Sequence, residues 1–315
     1  MYVGDQNFGV TRMELEFLAR HGVTHIDANG GLPEPLTLEA MVSHRQAAAE
    51  YGINLVKYYS CTPCEAVFLG RVLNPYTLKF QEMIHVLPGR ATILGQDPQR
   101  DVEIEEFKRL IEIAGRSGLR GLNYSFGTLE NQRTPNKMGR GGATYSTMDW
   151  SEYDNSPVQD GRAGTTVDDI FARIQYFLER VVPVAEKWNV QLACHLDDPP
   201  APPLKGVARW DYPVFEGCKR FVELIDSPVN GLNFCCGTAS EGLDDPRTEL
   251  IPIVKYLVCN PHRQSCPPVS GCGSKRRRTW VPRLSARKSS TFTSGTSSET
   301  SRIFQRSGRT KATWI

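Results

Sequence analysis

Strand-like and helix-like segments alternate along most of the chain, and this order restricts the fold more than any other feature. Up to about Leu257, short runs of apolar and β-branched residues are each followed by a longer run with apolar residues at helical spacing. Such repeated units require parallel strands joined by crossover helices, which predicts an α/β barrel or an open doubly wound sheet. The six strand segments are MYVGD, VTHIDANG, INLVKYYS, LRGLNYSF, VQLACH and VNGLNFCCG.

The signals at the segment boundaries support this assignment and favour a barrel. Thr37 stands where a helix N-cap is expected, Glu39 follows in the first turn, and Gly22 closes the first helix. No glycine-rich phosphate loop follows any of the predicted strands. The sequence therefore predicts a TIM-type (β/α) barrel rather than a dinucleotide-binding sheet.

A long segment from Gly127 to about Thr166 interrupts the alternation. It contains RTPNKMGRGGATYSTMDW, has few apolar runs, and follows the carboxyl end of a predicted strand. Barrel enzymes build their sites from loops at that end of the strands, and long loops in compact domains are usually functional. We therefore expect this segment, here called the insert, to be a loop that acts as an active-site lid.

The chain divides into two parts of opposite charge. Residues 261–315 carry 12 Lys and Arg against one Asp or Glu, although the formal net charge of the whole chain is only +2. This region is rich in Ser, Thr and Arg and shows no helical or strand period, so we expect a barrel domain over 1–258 and a disordered basic tail over 259–315. The run KRRR has no aromatic platform or folded context, so no nucleic-acid partner is expected.

Composition also predicts where the protein works. No run of eighteen or more apolar residues occurs, and the N-terminus lacks the basic and apolar regions of a signal peptide. The nine cysteines lack the compact spacing of a disulfide framework, which suits a reducing compartment. We expect a cytoplasmic protein with no membrane partner; a homo-oligomer is compatible with these features.

A histidine and a cysteine pair end neighbouring predicted strands. His195 closes VQLACH, and Cys235 and Cys236 close VNGLNFCCG. Nitrogen and sulfur donors at one barrel mouth suit Zn, Fe or Mn, although a hydrogen-bonded histidine beside two small core cysteines is the simpler alternative. Asp197 and Asp198 would orient the histidine, bind substrate, or cap the turn before the two prolines.

Four motifs resemble the mannonate dehydratases of the UxuA type, which are metal-dependent barrels of the xylose-isomerase-like superfamily. They are GLNYSF, GRGGATYSTMDW, RIQYFLERVVPVAEKWNVQLACHLDDPP and SPVNGLNFCCGT. The resemblance covers roughly residues 1–257. It implies an eight-stranded barrel that removes water from D-mannonate, a small sugar acid, to give 2-dehydro-3-deoxy-D-gluconate in hexuronate breakdown.

The resemblance also implies a set of site residues. His195 and Cys235 match two of the family's three metal ligands, and the expected cofactor is Mn²⁺ or Fe²⁺. Asn123, Arg140 and Asp197 are the expected substrate-binding residues. The catalytic acid and base cannot be assigned.

The chain departs from the family pattern after ELIPIVKYL. The strand with the third ligand, FxVHFRN, is not readable, so about six of eight βα units are present. Codons can be chosen for SSTFTSGT that translate as FHVHFRN when the reading frame starts at the third base instead of the first. We therefore expect that the tail is the product of a frameshift and that the chain has weak activity. The alternatives are a non-catalytic remnant or another metal-dependent sugar isomerase or epimerase on the same barrel.

Overall fold

The computed structural model describes most of the chain before residue 259. The described residues are 5–8, 11–28, 37–59, 72–73, 80–81, 88–258 and 303–307. The fold is mixed α/β.

A six-stranded parallel sheet forms the centre of the molecule, and five of the six predicted strands are confirmed. The first observed strand shares only Asp5 with the predicted MYVGD, whose other residues lie outside the described ranges. Neighbours in this sheet follow one another along the chain, without the reversal of strand order that defines a doubly wound sheet. Each crossover between parallel strands is right-handed, and each leads to the next strand on the same side. The crossover helices therefore lie on one face of the sheet. In spatial order the strands are β1 (Asp5–Phe8), β2 (His25–Ala28), β3 (Asn54–Tyr59), β6 (Gly121–Ser125), β9 (Gln191–His195) and β10 (Asn230–Asn233). A small antiparallel pair, β4 (Val72–Leu73) and β5 (Phe80–Gln81), lies between β3 and β6 in sequence.

The helices begin where the sequence places their caps. Thr37 accepts a hydrogen bond from the amide of Ala40 at 3.1 Å, and Thr166 forms a capping box with Asp169. The helices are α1 (Arg12–Arg20), α2 (Leu38–Glu50), α3 (Arg90–Leu94), α4 (Gln99–Arg116), α5 (Val167–Trp188), α6 (Val214–Leu224), α7 (Cys236–Glu241) and α8 (Pro246–Val258). No helix in the described part of the chain is long and apolar enough to cross a membrane.

The two faces of the sheet differ in chemistry. Tyr124 of β6 packs against Phe107 of α4 and Phe177 of α5, with ring centroids 5.9 and 5.6 Å apart. Because side chains alternate along a strand, residues on either side of Tyr124 point to the opposite face. That inner face carries polar groups, among them Asn123 and His195, which are both buried.

The insert is not the irregular loop that its composition predicts. It contains an antiparallel hairpin of β7 (Thr134–Met138) and β8 (Thr144–Asp149), turned by Gly141 and Gly142 at φ +69° and +77°. Few apolar runs are needed because burial in the hairpin is confined to Thr134 at the start of β7 and to Thr147, Met148 and Asp149 at the end of β8. Met148 belongs to a small second core with Leu129, Ala201, Leu204 and Val207. Whether the insert acts as a lid stays a prediction.

One described strand comes from the tail. Ile303–Ser307 forms β11, which pairs antiparallel with β8, so these five residues are ordered where the sequence predicts disorder. The remainder of 259–315 lies outside the described residues, and for it the expectations of disorder and of a frameshift stay predictions.

The aromatic packing between sheet and helices yields a stability prediction. Phe177 is fully buried and its ring contacts Phe107, Tyr124 and Phe126. Phe177→Ala should lower the free energy of unfolding by about 3–5 kcal/mol, since it leaves a cavity, as measured by denaturant unfolding. Phe17→Ala is the matched control, because Phe17 of α1 is 51% exposed and its removal should cost about 0.5 kcal/mol or less. Equal losses in the two variants would contradict the packing described.

Candidate functional site

His195 lies at the carboxyl edge of the parallel sheet, on its inner face. It is the last residue of β9 and is in register with Ser125 of β6 and Asn233 of β10. Its side chain is buried, as is that of Asn233. Three polar side chains from adjacent strands thus form one row at the edge where α/β proteins bind ligands.

The imidazole of His195 is oriented by its own backbone. Nδ1 lies 2.7 Å from the carbonyl oxygen of Leu196. A carbonyl can only accept, so Nδ1 carries the proton and donates. Nε2 is therefore the ring nitrogen that can coordinate a cation, in the arrangement found for most metal-binding histidines.

Cys235 contacts His195 from the neighbouring βα connection. It is buried and forms the N-cap of α7. Burial raises the pKa of its thiol, but a side-chain hydrogen bond with His195, the charge of His195 and hydrogen bonds from Thr238 outweigh burial and lower the pKa to about 6. The thiolate, the form that binds metals, is therefore the main species at neutral pH.

Cys236 is separated from this pair, but not for the reason that the sequence suggests. The sequence places Cys236 at a strand end, where alternation of side chains would turn it away from Cys235. In the structure β10 ends at Asn233, and Cys236 is the first residue of α7. Its half-buried side chain packs against the main hydrophobic core. Burial and the charge of Cys235 raise the pKa of the Cys236 thiol, so it is a poorer ligand.

Three charged residues are buried beside His195. Arg209 Nε lies 3.5 Å from Asp197 Oδ2 and donates a hydrogen bond to the carbonyl of Pro199. Burial raises the pKa of the Asp197 carboxyl, although the charges of Arg209 and His195 oppose that effect. Burial and the charge of Asp197 raise the pKa of Asp211 still further. Two carboxyls thus share one guanidinium, which favours a proton on Asp211.

A second charged group joins the insert to the site. Arg133 Nη2 contacts Asp198 Oδ1 and lies 2.9 Å from Glu241 Oε2. Asp198 follows His195 by three residues, and Glu241 is the last residue of α7. We call this three-residue group the Arg133 bridge.

The predicted substrate-binding residues are only partly brought together. Asn123 is buried on β6, two residues before Ser125, and Asp197 lies in the cluster just described. Arg140 is exposed in the turn between β7 and β8, and no contact among the described residues joins it to His195. Its role in substrate binding stays a prediction.

Sequence reasoning missed Arg133, Arg209, Asp211 and Glu241. Only the stretch GVARWDYP offers a sequence signal for two of them, because Arg209 and Asp211 flank a tryptophan, one on each side, among mostly apolar residues. Arg133 and Glu241 carry no such signal.

The donor set fits a divalent cation only in part. His195 and Cys235 supply one nitrogen and one sulfur, which suit Zn, Fe or Mn. Protein metal sites usually have three or more protein ligands, and no group of three His, Cys, Asp or Glu that could hold a metal occurs within the described ranges. The third ligand predicted for the tail lies outside those ranges.

The contact between His195 and Cys235 can be tested in metal-free protein. The ultraviolet absorbance of thiolate is titrated with pH in the unchanged chain and in Cys235→Ser, and the difference between the two curves reports Cys235. This difference should show the thiolate forming with a midpoint near pH 6. His195→Gln should move that midpoint above the ordinary thiol value of about 8.5, since burial then dominates. Cys218→Ser is the control, because burial raises the pKa of that thiol well above its usual range. A midpoint of about 8.5 in the unchanged chain would contradict the contact.

In sequence, part of the chain is similar to the mannonate dehydratases. Residues 163–259 match the family model for D-mannonate dehydratase (UxuA). The mannonate dehydratase of Enterococcus faecalis is 38% identical over 95 residues, covering 30% of this chain and 25% of that protein. That of Streptococcus equi subsp. zooepidemicus is 27% identical over 204 residues, covering 56% of this chain and 54% of that protein. The chain thus spans a quarter to about half the length of these relatives.

A solved structure shares the fold. The crystal structure of mannonate dehydratase from Streptococcus suis serotype 2 has a TM-score of 0.63 and 21% identity, covering 84% of this chain and 71% of that chain. His195 and Cys235 both lie inside the segment that matches the family model. Over this segment the chain is therefore similar to the UxuA-type mannonate dehydratases.

Proposed function

We propose that this chain is a metal-dependent mannonate dehydratase, which converts D-mannonate to 2-dehydro-3-deoxy-D-gluconate in hexuronate breakdown. The observation that carries the proposal is the contact between His195, at the end of β9, and Cys235, the N-cap of α7 just after the adjacent β10. Both residues lie within the family-matched segment. A small sugar acid as substrate and a reducing cytoplasmic setting belong to the same proposal.

The sheet is proposed to be part of a TIM barrel. Six parallel strands in chain order, with helices on one face, correspond to six of the eight units of such a barrel. The likeness in fold to the Streptococcus suis enzyme supports this view. The polar inner face then lines the mouth of the barrel.

Mn²⁺ or Fe²⁺ is the proposed cofactor, with His195 Nε2 and Cys235 Sγ as two of its ligands. A divalent cation there would neutralise the negative charge that builds up beside the substrate carboxylate when the proton on C2 leaves. Without such compensation that proton is very weakly acidic, because its removal places a second negative charge next to the first.

The chain's own residues have two roles in this proposal. Asn123 lies one strand pleat below the row of His195, about 7 Å along the strand direction, where its amide can hydrogen-bond a substrate hydroxyl. Asp197 is held by Arg209 on the other side of His195 and can accept from a second hydroxyl. Both side chains are buried, which excludes water from the reacting centre.

The first test compares two versions of the chain. The unchanged chain should show weak dehydratase activity, because two ligands hold a cation loosely. A version in which the SSTFTSGT segment and the residues after it are re-encoded in the shifted frame, to read FHVHFRN, should gain activity that depends on Mn²⁺ or Fe²⁺. The measurement is the formation of the 2-keto acid from D-mannonate. Codons that are incompatible with FHVHFRN in the native DNA would end the frameshift hypothesis.

Variants of the re-encoded chain test the ligands. His195→Ala and Cys235→Ser should each lower turnover by about 100-fold or more, since each removes a cation ligand. Cys236→Ser is the control and should keep its activity, because Cys236 packs against the core. Full activity in His195→Ala would overturn the assignment.

A further inference from the structure

The insert reaches both ligand-bearing connections through one arginine. Arg133 lies immediately before β7, and its Nη2 atom contacts Asp198 and Glu241 together. Asp198 belongs to the connection that starts at His195. Glu241 is the last residue of α7, and Cys235, the N-cap of this helix, lies about 9 Å away along the helix axis. One guanidinium nitrogen thus joins the two segments that place the candidate ligands.

The Arg133 bridge is shielded from solvent. The side chains of Arg133, Asp198 and Glu241 are 16%, 8% and 8% exposed. Breaking a buried ion pair by removing one partner is costly, because the remaining charge has lost its compensation. Here two carboxylates share one nitrogen, so their oxygens are about 6 Å apart or less and would repel each other without it.

The backbone holds Arg133 in place. The amide of the preceding residue, Gln132, donates a hydrogen bond to the Asp198 carbonyl at 3.2 Å. The hydroxyl of Tyr153 donates to Gln132 Oε1 at 2.7 Å. The Gln132 backbone bond thus fixes the insert to the connection after β9 independently of the guanidinium, and Tyr153 holds Gln132 from within the insert.

We propose that Arg133 is a positioning residue that holds the His195 connection and α7 at the separation at which both side chains can bind one cation. The part of this inference that concerns a bound cation rests on the proposed function. The part that concerns the distance between the His195 and Cys235 side chains does not. Arg133 touches neither ligand, so it acts through Asp198 and Glu241.

A cobalt titration tests the effect on the cation. Co²⁺ bound by a thiolate gives a charge-transfer band, whose growth reports the affinity of the pair. Arg133→Met should weaken Co²⁺ binding about 10–100-fold, the usual loss when a group that supports metal ligands is removed. Arg220→Met is the matched control, because it breaks an exposed Arg–Asp pair (Nη1 to Asp168 Oδ1, 2.7 Å) and should leave the affinity unchanged.

A double-mutant cycle separates positioning from general loss of stability. Glu241→Gln alone should weaken Co²⁺ binding by a smaller factor, since Arg133 then holds only Asp198. The Arg133→Met, Glu241→Gln chain should bind no worse than Arg133→Met, because the repulsion between the carboxylates is gone. Additive losses would overturn the proposal. If Arg133→Met does not fold, the Co²⁺ affinity of Glu241→Gln is compared with that of Arg220→Met. Equal affinities in these two variants would overturn the proposal.

A metal-free measurement distinguishes this inference from the proposed function. The Cys235 thiolate should react with iodoacetamide several-fold faster in Arg133→Met than in the unchanged chain, because α7 moves away from His195 and exposes the sulfur. Both rates are taken at the high-pH plateau, where the thiol is ionised in each chain. Faster alkylation without any cobalt band in the unchanged chain would refute the metal site and support the positioning. A cobalt band in the unchanged chain, with unchanged affinity and alkylation in Arg133→Met, would refute the positioning alone.

Discussion

The hydrogen bond from His195 Nδ1 to the carbonyl of Leu196 is the interaction on which the candidate site depends. It orients the ring so that Nε2 is directed toward Cys235, where it donates to the thiolate when no cation is bound. The lowered pKa of Cys235 follows, since the imidazole and Thr238 stabilise the thiolate against the cost of burial. Without this orientation, the nitrogen and sulfur would be two separate buried groups rather than one donor pair.

The parallel sheet explains why the pair forms at this position. Parallel strands end at a common edge, so a residue at the end of β9 and one just after β10 are neighbours although 40 residues separate them in the chain. The insert adds a second level of order at the same edge, because its small core packs on the segment that follows β9. The Arg133 bridge then connects this added layer to both ligand-bearing connections.

The sequence predicted those features that short-range patterns encode. Five of the six strands, the Thr37 cap and the position of His195 follow from periodicity and capping within a few residues. The hairpin in the insert was missed because its strands carry mostly polar residues and are buried only at one end, without the alternation typical of a strand. The sequence prediction placed Cys235 on a strand, whereas it is a helix N-cap two residues after the strand ends. Sequence patterns do not resolve element boundaries to within one or two residues.

The Arg133 bridge could not be predicted from the sequence for a different reason. Its contacts join residues that are 65 and 108 positions apart, and no local pattern distinguishes Arg133 from other arginines of the insert. Likewise, the burial of Arg209 and Asp211 depends on how the connection after β9 folds over the sheet.

X-ray absorption spectroscopy of the metal-loaded chain tests the central claim, that His195 and Cys235 bind one cation, most directly. With Zn²⁺ as the probe, the account predicts one sulfur scatterer at about 2.3 Å together with an imidazole nitrogen at about 2.0–2.1 Å. The sulfur signal should be absent in Cys235→Ser and present in Cys236→Ser. A shell of oxygen and nitrogen alone in the unchanged chain would contradict the claim.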